Sequence, residues 1–439
     1  MAEAAQTLTS SVPSTHTPER WSLLNRVLFR FAFAYLTLYC WPEAGRTSLL
    51  DAIPNVLLGA LNDSGQGITK LIQAPFHALS PWVAIHIFHL TGPVTKYHPT
   101  GSGDTTLDYV MVFCFAAIAL FATVVWSLLD RRPNYKTLYA WLRLLVRFTL
   151  AFTLLAYGFA KVYPLQFRTP FLSTRTETYG EASPMGILWT FMGASAAYTK
   201  FCGSAEVLGG VLLLFRRTTT IGALVAAAAI SNVVALNFCY DVPVKLYSSH
   251  LLLMSLFLLI PDLTALTRFF LLHEPSRLQG AWLPKFERRR LRAAAIALQA
   301  IVICSVLYNN IWGGYKSVKE MSSGYFKNAP IYGIWNADAG PWRQLTIHLS
   351  RFLSARDPAG NRLSLNSTYD ESKHTVKLTS ARLKQDGDFT YTQPDPQHLT
   401  LRGTLNGNPV VAEFRRQDES SLLLINRGFH WINEDPFNR

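Results

Sequence analysis

The chain is short of charge. Asp, Glu, Lys and Arg make up 16% of its 439 residues, against about 25% in an ordinary soluble domain. With 49% hydrophobic residues, that shortage excludes an ordinary soluble enzyme and a disordered chain. Cysteine is scarce too: there are five, Cys40, Cys114, Cys202, Cys239 and Cys304, with no CxxC pair. A disulfide framework is excluded, although a Cys202–Cys239 bridge stays open beside burial of both as small apolar residues. The GxSxG, Walker A, GxGxxG and HExxH patterns are all missing. Residues 1–20 have no apolar core and are rich in Ser, Thr and Pro, so they read as a disordered cytoplasmic tail rather than a signal peptide.

What the chain has is long apolar runs. A spanning helix needs about 20 mostly apolar residues. Seven segments fit: 21–41, 107–129, 138–162, 199–215, 219–238, 246–270 and 291–312. The apolar stretch 68–90 is interrupted by Pro75, Pro81 and three histidines, which predicts a broken helix at the membrane interface. The expected fold class is an α-helical polytopic membrane protein of about seven spans with a C-terminal β-rich extracytoplasmic domain. Residues 21–137 hold two spans and an external loop, 138–270 a four-helix module, 271–312 a basic loop and the last span, and 313–439 the β domain.

The net charge of +13 reports topology. Residues 1–312 carry 25 Lys and Arg against 15 Asp and Glu, a surplus of 10, whereas 313–439 carry 16 against 13. Arg26, Arg30, Arg131, Arg132, Lys136, Arg216, Arg217 and the Arg268–Arg292 cluster fall in alternate gaps. By the positive-inside rule these gaps are cytoplasmic, which puts the N-terminus in the cytoplasm and residues 313–439 in the periplasm of a bacterial inner membrane. The expected partner of the basic turns is the lipid bilayer, and nucleic acid is not expected as a partner.

Ionisable groups inside a span are costly and are candidates for function. Glu206 lies in FCGSAEVLGGVLLLF (201–215), flanked by Gly203, Gly209 and Gly210, which let neighbouring helices approach closely. Lys161 ends the third span; Asn232 and Asn237 lie on the fifth and His250 opens the sixth. In the orientation above these five converge in the outer half of the bilayer, where Lys161 and Glu206 are placed to form an ion pair. Two readings stand: a polar network that pins the helices, or a polar pocket for a quinone, a lipid headgroup or a proton. His86 and His89 share a helix face, but no nearby ligand completes a metal site, so no metal is expected.

Beyond Trp312 the pattern alternates. Segments 345–352, 362–365, 374–378, 389–392, 399–405, 410–415 and 422–425 read as strands, with turns at 357–360, 386–387 and 406–408. Closely spaced antiparallel strands suggest a small up-and-down barrel, with a β-sandwich as the rival. IYGIW at 331–335 supplies a Gly-x-Trp on a first strand, similar to lipocalin-type barrels, where a late arginine, Arg415 or Arg427 here, covers the tryptophan. Trp335, Arg427, His430 and Trp431 are the candidates in this domain, with the terminal segment read as a cap or a contact surface.

The stretches YGFAKVYPLQF (157–167), GSAEVLGGVLLLFRRTTTIGA (203–223) and NFCYDVPVKLYSSHLLLM (237–254) resemble the DoxX family of bacterial four-helix membrane proteins over about 125 of the 439 residues. The resemblance implies a four-helix module with a link to quinone or redox metabolism, and it implies no catalytic residue. A quinone would be the cofactor, and a membrane redox subunit or a periplasmic protein the partner. A fainter likeness joins this region to the membrane part of vitamin K-dependent carboxylases. The expected function is an accessory or catalytic subunit binding a quinone or another lipophilic molecule. The alternative is a non-enzymatic anchor for a periplasmic ligand-binding or envelope-assembly β domain.

Overall fold

Alternation and turn chemistry build the last third of the chain. The computed structural model describes residues 20–40, 62–96, 101–278, 288–323, 327–380, 385–427 and 430. The expected tail, Trp431 and the segment after it lie outside them. Eight antiparallel strands close on themselves: β1 (Asn328–Ala339), β2 (Gln344–Leu349), β3 (Phe352–Arg356), β4 (Arg362–Asp370), β5 (Thr375–Ser380), β6 (Gln385–Asp395), β7 (His398–Leu405) and β8 (Asn408–Gln417). The order is sequential, and β8 pairs back onto β1 with Trp335 opposite Arg416. The β-sandwich is thereby ruled out. Closure removes the exposed strand edges that an open sheet would leave.

The turns are legible in chemistry. Asn406 and Gly407, at φ 52° and 81°, join β7 to β8 across the Leu405–Asn408 pair; both are left-handed, as a two-residue hairpin of matching twist demands. Asp357 and Gly360 close the β3–β4 turn, Gly360 N–H donating to the Asp357 carbonyl at 2.9 Å. Two expectations fail. Asp386-Gly387 is not a turn but part of β6. Gly387 is needed there because a Cβ would sit 2.6 Å from the Phe389 ring. Segment 422–425 is not a strand: Leu423–Asn426 forms one helical turn, since the closed barrel has no edge left to pair with.

The barrel interior is filled. Trp335, Trp342, Leu345, Ile347, Leu353, Leu378, Phe389 and Phe414 lie at its centre, each at most 3% exposed. Period-two alternation points these side chains inward, apart from Trp342, which reaches in from the connection between β1 and β2.

The other elements are helices: α1 (Leu23–Leu38), α2 (Asn62–His86), α3 (Thr106–Leu129), α4 (Lys136–Val162), α5 (Pro184–Ala194), α6 (Ala196–Leu214), α7 (Thr219–Cys239), α8 (Lys245–Leu259), α9 (Leu263–Phe270) and α10 (Arg289–Ser323). Start signals are explicit. Ser22 caps α1 through the Asn25 N–H, and Thr105 with Asp108 forms a reciprocal capping box on α3. Helix α2 runs unbroken through Pro75 and Pro81, where a broken helix was expected. Among the described residues, five stretches are long and apolar enough to cross a membrane: Thr106–Leu129, Lys136–Val162, Arg216–Cys239, Lys245–Phe270 and Arg289–Met321. Of the other two expected spans, α1 has only 16 residues, and α6 carries Lys200 and Glu206.

The chain forms two compact units, residues 1–150, 213–220 and 253–299 in one, and 151–212, 221–252 and 300–439 in the other. In the first, Arg30 is buried and held by four hydrogen bonds. It donates to the Tyr135 hydroxyl at 2.6 and 3.0 Å, to Ser127 Oγ at 2.8 Å and to the Asp130 carbonyl at 2.7 Å. The Tyr135 ring beneath it belongs to an aromatic cluster with Phe29, Trp126 and Trp21. In the second unit, the loop 163–183 is fastened to the barrel wall. Glu181 meets Arg356 at 2.8 Å, Glu177 meets Arg362 at 2.9 Å and Arg175 meets Glu419 at 3.3 Å. The Phe171 ring lies 4.9 Å from that of His348.

Candidate functional site

Small residues set the geometry of the site. Helices α4 and α6 cross where neither has a side chain. A Cβ on Gly203 would lie 2.6 Å from the Gly158 carbonyl oxygen, and one on Gly210 would lie 3.0 Å from that of Ala151. The two contacts lie seven residues apart along both helices, so the seam of small residues repeats every two turns. Gly209, on another face, would meet Ala226 of α7 at 3.4 Å.

This close approach sets Lys161 against Glu206. Nζ donates to Oε2 at 2.8 Å, and the side chains are only 8% and 4% exposed. Residues 153, 157 and 161 fall on one stripe of α4, at intervals of four. Lys161 Nζ lies 5.7 Å from the centre of the Tyr157 ring. Tyr157 is 6.2 Å from the ring of Tyr247 on α8, whose hydroxyl lies 3.3 Å from Thr153 Oγ1. Tyr157 is thus the ring beside the ion pair, and it leads on to the Tyr247–Thr153 contact further along α4.

Asn237 belongs to a separate link: its amide donates to Ser248 Oγ at 2.9 Å and so ties α7 to α8. His250 is buried, and its Nδ1 lies 2.7 Å from the Leu246 carbonyl one turn earlier. Asn232 does not join. Five residues from Asn237 is about 140° around a helix, and its side chain is exposed. Tyr157, Tyr247 and Thr153 were passed over by the sequence reading, though the four-residue spacing on α4 would have pointed to the first and last.

In the barrel, Trp335 is fully buried and donates its Nε1 hydrogen to the Ile331 carbonyl at 3.0 Å. The covering arginine is Arg416, its guanidinium carbon 5.8 Å from the indole. It is neither of the two expected: Arg415 pairs with Asp338 at 3.5 Å, and Arg427 lies against His430 at 2.7 Å. Ala412, Phe414 and Arg416 share one face of β8, and Arg415 is on the other. Cys202 and Cys239 are both free thiols.

One curated protein matches with 40% identity over 118 residues, the uncharacterized protein YwoB of Bacillus subtilis strain 168; the match covers 26% of this chain and 73% of YwoB. The chain belongs to the YwoB family. No family model and no solved structure matches it. What the YwoB relative adds is a common origin for about a quarter of the chain; the uncharacterized YwoB brings no activity with it.

Proposed function

We propose that this YwoB relative is a DoxX-like protein of a bacterial inner membrane that binds a quinone or another lipophilic molecule beside the Lys161–Glu206 pair, with a membrane redox subunit as its partner. The observation that carries this is the pair itself, buried, with the Tyr157 ring beside Lys161 and Tyr247 next to Tyr157. Opposite charges removed from water stabilise a fold no better than apolar side chains of the same volume, so a purely structural role gives little reason to hold them. A quinone carbonyl is an acceptor, and a lysine ammonium or a phenol is a donor within the same apolar surroundings. Glu206 would accept a proton or a hydrogen bond, and Lys161 would keep it ionised; Asn237 and His250 would line the far wall. The orientation in this reading has the basic turns and N-terminus cytoplasmic, seven crossings and a periplasmic barrel.

The test is native mass spectrometry of the purified protein with and without Glu206→Gln. A bound quinone that the substitution removes supports the reading. If Glu206→Gln alters only thermal stability, the pocket is wrong. A second reading, a membrane anchor that presents the barrel to a periplasmic partner, draws on the filled barrel interior and on the ion pairs that fasten the barrel to loop 163–183.

A further inference from the structure

The first unit holds two buried arginines that form no ion pair among the described residues. Arg143 and Arg147 lie one turn apart on α4, 6% and 3% exposed. Arg143 Nη2 donates to the Leu258 carbonyl at 3.2 Å, one of the last-turn carbonyls that a helix leaves without an internal donor. Arg147 Nη1 reaches the Thr219 hydroxyl at a long 3.4 Å. Each guanidinium carries five N–H donors, and the Nε of both is buried without an acceptor. Neither forms an ion pair with a carboxylate among the described residues. Asp262, in the same unit, accepts from Thr220 at 2.6 Å. Arg216, in the exposed turn before α7, is close enough for its charge to act on Arg147, as is Arg143.

Arg30, in the same unit, shows what a buried arginine looks like when the protein satisfies it: four hydrogen bonds and a stacked tyrosine ring. Arg143 and Arg147 have one hydrogen bond each, and each lies over an aromatic ring, Tyr139 and Phe148. A buried cation without a partner is among the costliest things a fold can hold, and a planar guanidinium fork fits a phosphate. We infer that Arg143 and Arg147, with Arg216 at the rim, form an anion site that binds a phosphate group, supplied by an anionic phospholipid of the leaflet at that end of the bundle. This inference is independent of the Lys161–Glu206 reading.

The experiment uses the full chain, purified in a neutral detergent and stripped of lipid. Its melting midpoint and bound lipid, by native mass spectrometry, are followed as phosphatidylglycerol, phosphatidylcholine or inorganic phosphate is added. Phosphatidylglycerol should raise the midpoint by about 3 °C at saturation, with phosphatidylcholine giving less. Arg143→Gln and Arg147→Gln should each weaken phosphatidylglycerol binding about tenfold, while Arg288→Gln should leave it unchanged. If inorganic phosphate gives the same shift, with the same loss in the variants, the anion site stands and its natural occupant is a free phosphate. Equal shifts with phosphatidylglycerol and phosphatidylcholine and none with phosphate overturn the inference, as does an undiminished shift in both variants. Should those variants fail to fold, the wild-type comparison still decides, and Arg216→Gln at the exposed rim should weaken binding about threefold.

Discussion

Arg356 grips Glu181 with both arms of its guanidinium: Nη1 donates to Oε1 at 3.0 Å and Nη2 to Oε2 at 2.8 Å, across 175 residues of chain. The same Nη2 also reaches the Thr176 carbonyl at 3.2 Å. A two-pronged contact fixes orientation as well as distance, so it holds loop 163–183 in one register on the β3 strand. Arg356, then the Thr178 hydroxyl and N–H, hold the Glu181 carboxyl down at about 2 from its usual 4.5. A carboxyl lowered in the folded state contributes above its ordinary value and loses that contribution as pH falls towards the lowered one. Pepsin, active in acid, should therefore begin to cut the loop as pH drops from about 4.5 towards 2, and Glu181→Gln should be cut already at pH 4.5. Equal cutting of both proteins at pH 4.5 would sink the idea.

The Lys161–Glu206 pair predicts an asymmetric mutational pattern. Lys161→Met or Glu206→Met leaves one buried charge alone, a loss of about 3–5 kcal/mol. The double variant removes both and should recover most of it. Melting midpoints of the detergent-purified protein read this directly. Additive losses in the double variant would show that the two side chains are not coupled.

What the sequence made legible was mostly local. Alternation with Asn406-Gly407 and Asp357–Gly360 turns was enough for a run of antiparallel strands, because each signal acts within a few residues; closure into a barrel rather than a sandwich depends on β8 meeting β1 and was left open. Its failures have physical causes. Leu422–Ile425 has strand composition, but whether an apolar run pairs depends on a free edge elsewhere. Arg416 could have been chosen over Arg415 by strand parity from Trp335 and Phe414 alone. Arg143 and Arg147 lie inside an apolar run, where neither a charge cluster nor a turn marks them. The Glu181–Arg356 and Glu177–Arg362 pairs join distant segments, and no period in the sequence marks them. At the candidate site, Lys161 and Glu206 were readable as charges out of place, and the glycines around Glu206 explained how they meet. Asn232 was misplaced because five residues carry it to another face of its helix.

The glycine seam gives the site a steric test. Gly203→Ala would bring a methyl group to 2.6 Å from the Gly158 carbonyl oxygen and 2.7 Å from Lys161 Cβ. The helices must separate or tilt, at a cost of about 1–3 kcal/mol, and Lys161 must shift with them. Gly180→Ala is the control, since nothing lies within 4 Å of its Cβ position; its effect should stay within about 0.5 kcal/mol. A Gly203→Ala protein that melts with the wild type would mean that the two helices do not cross this closely.

His348 makes the barrel's attachment sensitive to mild acid. Its ring lies 4.9 Å from that of Phe171 and 5.3 Å from that of Tyr332, and its Nδ1 is buried without a hydrogen-bond partner. Burial, and then the charge of Arg175, push its pKa from 6.5 down to about 4. Between those values the folded protein binds fewer protons here than the unfolded chain, so stability falls as pH falls. The contribution is intact above about 6.5 and is lost progressively towards about 4. His348→Phe keeps a ring between Phe171 and Tyr332 and removes the titration. Between pH 7.5 and 5 the wild-type melting midpoint should drop about 2 °C further than that of the variant. Every other histidine is common to both proteins, so the difference isolates this one. Parallel curves for the two proteins would mean that His348 stays as hydrated in the folded state as in the unfolded chain, and that the loop does not close over it.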